Sequence, residues 1–237
     1  METMMTELHI AHAGPTDPDQ PIVLWVHGLD SDSHCWDNPV ALVSRSTACA
    51  SIDLPGHGKS PTPDLESAYE RAAVLNDIDA VIATLRTNNP DRRIVWVGHS
   101  LGGYLGMAHA LSRTDTALSI NGLVLVSTGP GFRDPDAMQS WNDRVRKNSS
   151  AYAVSEEAST IAFHSDSMVM DGLGTLALPI SLVIGDGDRA FLGANDYLEK
   201  KLPHAVRTTV EGGRHFVMKS HPESVAVGVE TVLTELS

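Results

Sequence analysis

The sequence predicts an α/β fold: a mainly parallel, doubly wound sheet flanked by helices, interrupted by a small helical insert. Three observations carry this expectation. Short apolar runs alternate with helical patterns along most of the chain. The run Ile22-Val23-Leu24-Trp25-Val26 is apolar throughout, as a strand covered on both faces is. The rhythm breaks once, between residues 131 and 178, and then resumes. The expected organisation is therefore core 1–130, insert 131–178 and core 179–237.

In chain order, residues 7–11 are predicted as a short first strand, followed by the turn-rich stretch Gly14-Pro15-Thr16-Asp17-Pro18. The strand 22–26 ends in His27-Gly28-Leu29-Asp30. Residues 33–43 predict a helix and 47–52 a strand, which ends in the loop Asp53-Leu54-Pro55-Gly56-His57-Gly58-Lys59-Ser60. Between 65 and 86, Leu75, Ile78, Ile82 and Leu85 recur at helical spacing, and Asn88-Asn89-Pro90 ends that helix. Strands are expected at 94–97, 123–126 and 180–184. Inside the insert, Asp134-Pro135-Asp136 opens a helix with Met138, Trp141 and Val145 on one face, and a second helical piece falls near 155–164. Residues 197–201 predict a helix and 207–210 a short strand. Ser220-His221-Pro222-Glu223 reads as a capping box opening a last helix that carries Val225, Val229, Val232 and Leu236.

Composition narrows the function. With 17 basic and 30 acidic residues, the formal charge of the 237-residue chain is −13, which argues against a nucleic-acid or anionic-membrane surface. The balance favours a small, neutral or apolar substrate. No 18-residue apolar run occurs, and the first twenty residues lack a basic segment followed by an apolar one, so a cytoplasmic protein is expected. Cys35 and Cys49 form no disulfide framework or metal-spaced cluster; Cys49 reads as a core residue, and Cys35 follows the first glycine loop. The eleven histidines are scattered, and none forms H-E-x-x-H, so no metal-based chemistry is expected.

The most informative stretch is Gly98-His99-Ser100-Leu101-Gly102, placed between a predicted strand and a helical pattern (Leu101, Leu105, Ala108, Leu111). A turn this sharp strains its central residue, and the flanking glycines let strand and helix approach closely. It presents a serine hydroxyl at the carboxyl edge of the sheet, over a helix N-terminus that favours negative charge. A serine hydroxyl needs a base to become a nucleophile, and the base needs a group that holds its tautomer. Two loops at the same edge supply such groups: Gly185-Asp186-Gly187-Asp188-Arg189 and Gly212-Gly213-Arg214-His215-Phe216. The order Ser, Asp, His is the one that accompanies a nucleophile elbow. Two aspartates share the first loop, so either Asp186 or Asp188 could orient the base. His99 is a rival base, but its place on the elbow points it away from Ser100, towards a structural role. His27 and His57 read as loop histidines that tie backbone together.

Taken together, these motifs resemble the α/β-hydrolase superfamily, in its lipase/esterase-like branch with a compact cap, over nearly the whole chain. The resemblance implies Ser100 as nucleophile, His215 as general base and then acid, and Asp188 as orienting carboxylate. It selects Asp188 because the family places its acid three residues after the glycine. It assigns the oxyanion hole to the backbone N–H groups of Leu29 and Leu101. It makes residues 131–178 the cap, in which Phe132, Trp141, Met138, Phe163, Met168 and Met170, with Phe216 beside the base, are candidates to line the pocket. The short cap suggests short esters or lactones, and no cofactor or metal is required. Two features depart from the family: the N-terminal hairpin is abbreviated, and the acid loop lacks a proline common there.

The expected activity is a serine hydrolase cleaving a carboxylic ester or lactone of a small, largely apolar substrate. Serine at the elbow argues against haloalkane or epoxide chemistry, which uses aspartate there. Within the class, N-acyl-homoserine-type lactone hydrolysis and carbon–carbon bond hydrolysis stay open. Outside it stand hydroxynitrile lyases, cofactor-free oxygenases and small-molecule receptors on the same fold.

Overall fold

A computed structural model describes residues 6–113 and 117–237; the start of the N-terminal segment read above lies outside these residues. The elements in order are β1 (Ile10–Ala13), β2 (Ile22–Val26), α1 (Asp37–Val43), β3 (Ala48–Ile52), α2 (Arg71–Leu85), β4 (Ile94–His99), α3 (Leu101–Ser112) and β5 (Gly122–Val126). After them come α4 (Pro135–Lys147), α5 (Glu156–Ser159), α6 (Met168–Gly172), β6 (Ile180–Gly185), α7 (Leu192–Lys201), β7 (Val206–Val210), α8 (Val217–Ser220) and α9 (Pro222–Glu235). The strands form one sheet in the order β1-β3-β2-β4-β5-β6-β7. Among the described residues only β1 runs antiparallel, against β3; the other neighbouring strands are parallel.

Alternating side chains divide the core into two layers. Leu24, Val26, Trp96, Leu123 and Leu125 pack with Leu75, Ile78 and Ile82 of α2 and Leu105 of α3. Val23, Trp25, Val95, Val97, Val124 and Val126 face the other way, onto Val43 of α1 and Val225, Val229 and Val232 of α9. Both faces are thus covered, which is why the central strands read as unbroken apolar runs. The register puts Val26 opposite Gly98, Gly98 opposite Leu125, and Gly185 opposite Val210. The loops that follow these strands therefore leave from one edge. No described helix is long and apolar enough to cross a membrane.

Several boundaries differ from the sequence expectation for physical reasons. The first strand is Ile10–Ala13 rather than 7–11, because its pairing aligns Ile10 with Ile52 and Ala13 with Cys49. The helix expected at 33–43 begins as a 3₁₀ turn (Ser33–Trp36) capped by the Asp32 carboxylate, with α1 following. The helix expected at 65–86 is split: a 3₁₀ turn spans Glu66–Tyr69, and Glu70 is extended (ψ 142°) before α2 starts. The break buries the Tyr69 ring, whose hydroxyl donates to the Pro63 carbonyl at 2.9 Å. The expected capping box is not formed. His221, non-helical (φ −137°, ψ 63°) ahead of Pro222, is the N-cap of α9 and makes no side-chain cap bond, while Ser220 ends α8.

Two buried histidines brace the loops after β2 and β3. The His27 ring donates from Nδ1 to the Gly28 carbonyl (2.7 Å), and its Nε2 accepts from the Leu54 N–H (2.9 Å). Both contacts at once require the neutral ring. His57 bonds the Pro55 carbonyl through Nδ1, and its ring lies 5.2 Å from that of His27. Burial, reinforced by His57, pushes the His27 imidazole down to about 3; burial also lowers that of His57. An unfolded chain protonates these rings near the ordinary value of 6.5, where the folded chain does not. Stability is thus complete above that value and falls with pH towards about 3, by about 2 kcal/mol for His27 at pH 5. Urea midpoints between pH 7.5 and 5 test this, and a flat profile would contradict it. The acid-side slope should shrink in His27→Gln.

Candidate active site

Ser100 sits where β4 becomes α3, with φ 49° and ψ −113°. Such a conformation is held only by surroundings that over-determine it. The Ser100 N–H donates to the Val126 carbonyl (2.9 Å), and its own carbonyl accepts from the Thr128 hydroxyl (2.5 Å) and the Gly103 N–H (3.1 Å). The glycines around it leave no room for side chains. A Cβ on Gly98 would lie 2.3 Å from the Gly102 carbonyl oxygen, and one on Gly102 would lie 2.2 Å from that of Val26.

A second close approach assembles the other half of the site. A Cβ on Gly185 would meet the Gly213 carbonyl carbon at 2.2 Å, so the loops after β6 and β7 touch backbone to backbone. The Gly187 N–H donates to the Gly213 carbonyl (2.9 Å), and the Asp186 carboxylate accepts from the Gly212 N–H (2.9 Å). Asp186 is therefore a loop tie. Asp188, buried, meets His215 instead: its Oδ2 lies 2.9 Å from Nδ1 of the ring. Phe191 stacks on the His215 ring, with 4.8 Å between centroids and 18° between planes. The geometry separates the two aspartates that the residues alone leave open.

His99 lies behind this pair. Its Nε2–H donates to the His215 carbonyl (2.9 Å), and its ring centroid is 4.7 Å from that of His215. Burial, then the neighbouring His215, pushes its imidazole down to about 3. His99 is thus a neutral strut for the loop that carries His215.

One cavity of about 590 Å³ gathers these loops. Its wall includes Ser100, His215, Leu29 and Leu101. Leu101 opens α3, so its N–H is among those that a helix leaves without an internal partner. Leu29 precedes Asp30, which is left-handed (φ 58°) and accepts from the Ala153 N–H (2.6 Å) in the segment between β5 and β6. That segment folds as α4, α5, α6 and 3₁₀ turns. Of the pocket candidates, Phe132, Trp141 and Phe216 reach the cavity wall; Met138, Phe163, Met168 and Met170 do not. Met168 packs on the core, and Phe163 lies under the Arg146 guanidinium (5.1 Å). Sequence reasoning missed Tyr104, Tyr152, His164 and Phe191, all on the wall. Tyr104, one helical turn after Ser100, was the one with a readable signal.

Burial pushes the Cys35 thiol up to about 12 and that of Cys49 to about 11, which leaves neither as a nucleophile. Among the described residues no group of three or more His, Cys, Asp or Glu side chains is placed to hold a metal. The elbow contacts make a stability prediction. Gly102→Ala drives a methyl into backbone that cannot yield and should cost about 3 kcal/mol or more in urea unfolding. Gly193→Ala, in α7 with open space around it, should be neutral or stabilising by about 1 kcal/mol. Equal effects of the two would contradict this account.

Comparison with known proteins is consistent with this architecture. The chain is 29% identical over 168 residues to 2-succinyl-6-hydroxy-2,4-cyclohexadiene-1-carboxylate synthase of Serratia proteamaculans, covering 65% of this chain and 61% of that protein. It is 30% identical over 117 residues to lipase LipV of Mycobacterium tuberculosis, covering 49% and 41%. The matched region is less than two thirds of the length of either relative. The enol-lactonase structure from Burkholderia xenovorans superposes with a TM-score of 0.77 at 20% identity, over 97% of each chain, and shows the shared fold. The model of the alpha/beta hydrolase family matches residues 23–168. That match spans more than half of the sequence, from β2 through the elbow into the segment over the cavity, and the chain belongs to the alpha/beta hydrolase family.

Proposed function

We propose that this chain is a serine hydrolase that cleaves carboxylic esters or lactones of small, largely apolar substrates through an acyl-enzyme. The observation that carries the reading is the Asp188–His215 hydrogen bond at 2.9 Å, beside the cavity that also receives Ser100 from its strained elbow. In this mechanism Ser100 Oγ attacks the substrate carbonyl while His215 Nε2 takes its proton. The oxyanion is held by the N–H groups of Leu29 and Leu101. His215 then returns the proton to the leaving alkoxide, and a water molecule, activated the same way, releases the acid. Asp188 keeps the Nδ1–H tautomer and stabilises the imidazolium. Residues 131–178 act as the cap, with Phe132, Trp141 and Phe216 among the apolar groups that meet the substrate. The mostly apolar wall and the net negative charge of the chain favour an uncharged ester. The lipase and enol-lactonase similarities support the same reaction class.

Similarity to the Serratia synthase favours, as a second reading, a non-hydrolytic reaction at the same residues. The two are separated by running turnover in heavy-oxygen water: hydrolysis places one labelled oxygen in the acid product, and a non-hydrolytic reaction places none.

On short nitrophenyl esters, Ser100→Ala and Asp188→Asn should each lower kcat/KM by at least about 10³-fold. Asp186→Asn, which keeps an oxygen for the Gly212 N–H, should stay within about tenfold of the parent. A phosphonate probe should label Ser100 and no other residue. Full activity in Ser100→Ala, or label elsewhere, would overturn the mechanism.

A further inference from the structure

His164 is a half-buried titratable group that the proposed mechanism does not use. It stands in the cavity wall among three aromatic rings: Tyr104 at 4.4 Å, Phe132 at 5.2 Å and Trp141 at 6.1 Å between centroids. All three also line the cavity. A ring that only filled this space would need no nitrogen, and a phenyl group would fill it without desolvating a polar atom.

The chain holds this ring firmly. The His164 N–H donates to the Asn142 side-chain oxygen (2.9 Å), and the Asn142 amide donates back to the His164 carbonyl (2.8 Å), fixing the backbone to α4. Two residues on, Asp166 receives both guanidinium nitrogens of Arg71 (2.9 and 2.5 Å), fixing the loop to the start of α2. Arg71 also donates to the Tyr104 hydroxyl (2.8 Å), steadying the ring against which His164 rests. Such support is what a recognition group needs in order to act at a set position.

The electronic state of the ring is set as well. Burial, helped by the charge of Arg71, pushes the imidazole down to about 4, so it is neutral near pH 7. Its Nδ1 is sealed without a partner against Gly131, where a Cβ would stand 2.9 Å away. A buried lone pair is tolerated better than a buried N–H without acceptor, which favours the proton on Nε2. Nε2 is then the nitrogen left to meet a molecule in the cavity, and it meets it as a donor.

We infer that His164 is a specificity-determining residue whose Nε2–H binds an oxygen acceptor in the non-reacting part of the substrate. The chemical class is an ester or lactone carrying a ketone, ether or hydroxyl oxygen away from the scissile carbonyl, rather than a plain alkyl ester. An apolar pocket with one well-placed polar group orients its ligand in this way, and leaving that group unpaired is what rejects the alkyl analogue. This inference rests on reading the cavity as the substrate site.

The test uses full-length Ser100→Ala protein, so that binding is read without turnover, and two matched pairs of esters. Levulinate is compared with valerate in the acid part, and acetol with n-propyl in the alcohol part. Adding His164→Phe should shift the ketone-to-alkyl affinity ratio against the ketone by about tenfold in at least one pair. Adding His164→Gln, which restores a donor, should keep the ratio within about threefold of the Ser100→Ala parent. Circular dichroism verifies that each variant is folded. Independently of any substitution at 164, the isotope-labelled His164 Nε2 resonance should move with the ketone-bearing ester and not with its alkyl partner. Ratios unmoved by His164→Phe, no measurable affinity for either member, or a resonance indifferent to the ketone would each overturn the inference. Failure of the hydrolase reading appears separately, as esterase activity that Ser100→Ala does not remove.

Discussion

The structure depends on backbone lying against backbone at the carboxyl edge of the sheet. At the elbow, Gly98 and Gly102 let the first turn of α3 press onto the end of β4 and onto the Val26 carbonyl of β2. No residue with a Cβ fits either position without displacing main chain. This contact sets the direction of α3, and with it the burial of Leu105 beneath the sheet and the placement of Tyr104 in the cavity wall. Gly185 against Gly213 repeats the same solution two strands away and brings the His215 loop within reach of Asp188. The site is therefore a product of main-chain proximity first and side-chain chemistry second.

Around these contacts the polar groups divide into those that the proposed mechanism uses and those that brace the loops. Three histidines near this edge, His27, His57 and His99, are each engaged with main chain and held neutral by burial. They stiffen the loops that carry Leu29, Asp53 and His215 without competing for a substrate proton. His215 is different because its ring is partly open to the cavity, while its carboxylate partner is almost fully enclosed. In the proposed mechanism the open ring is the one that meets the substrate, and the enclosed carboxylate orients it.

Most of the fold was legible because its signals are local. Apolar runs such as Ile22 to Val26 mark strands buried on both faces, and Leu75, Ile78, Ile82 and Leu85 mark one helical face. The elbow was legible for the same reason, since glycine spacing between a strand and a helix describes a single turn. The segment over the cavity was not. Apart from α4 its helices run four or five residues, too short for a periodic pattern to say which way Met168 or Phe163 points. His164 and Phe191 sit on the cavity through tertiary contacts with Asn142, Tyr104 and His215 that no spacing encodes. The capping box fails for a reason readable in the sequence: Pro222 disfavours a helical conformation at the residue before it.

Among the described residues, three non-glycines have left-handed backbone, Asp30, Ser100 and Ser127, and each follows the end of a central strand. Such conformations cost on the order of 1 kcal/mol or more apiece, while the net stability of a domain is about 5–15 kcal/mol. The cavity edge thus draws on a visible share of the margin that the two core layers provide. Tolerance to mutation follows from this. A drifting sequence has less latitude in the strands behind the elbow than its apolar, interchangeable composition suggests, and its evolutionary freedom lies in the helices farthest from Ser100.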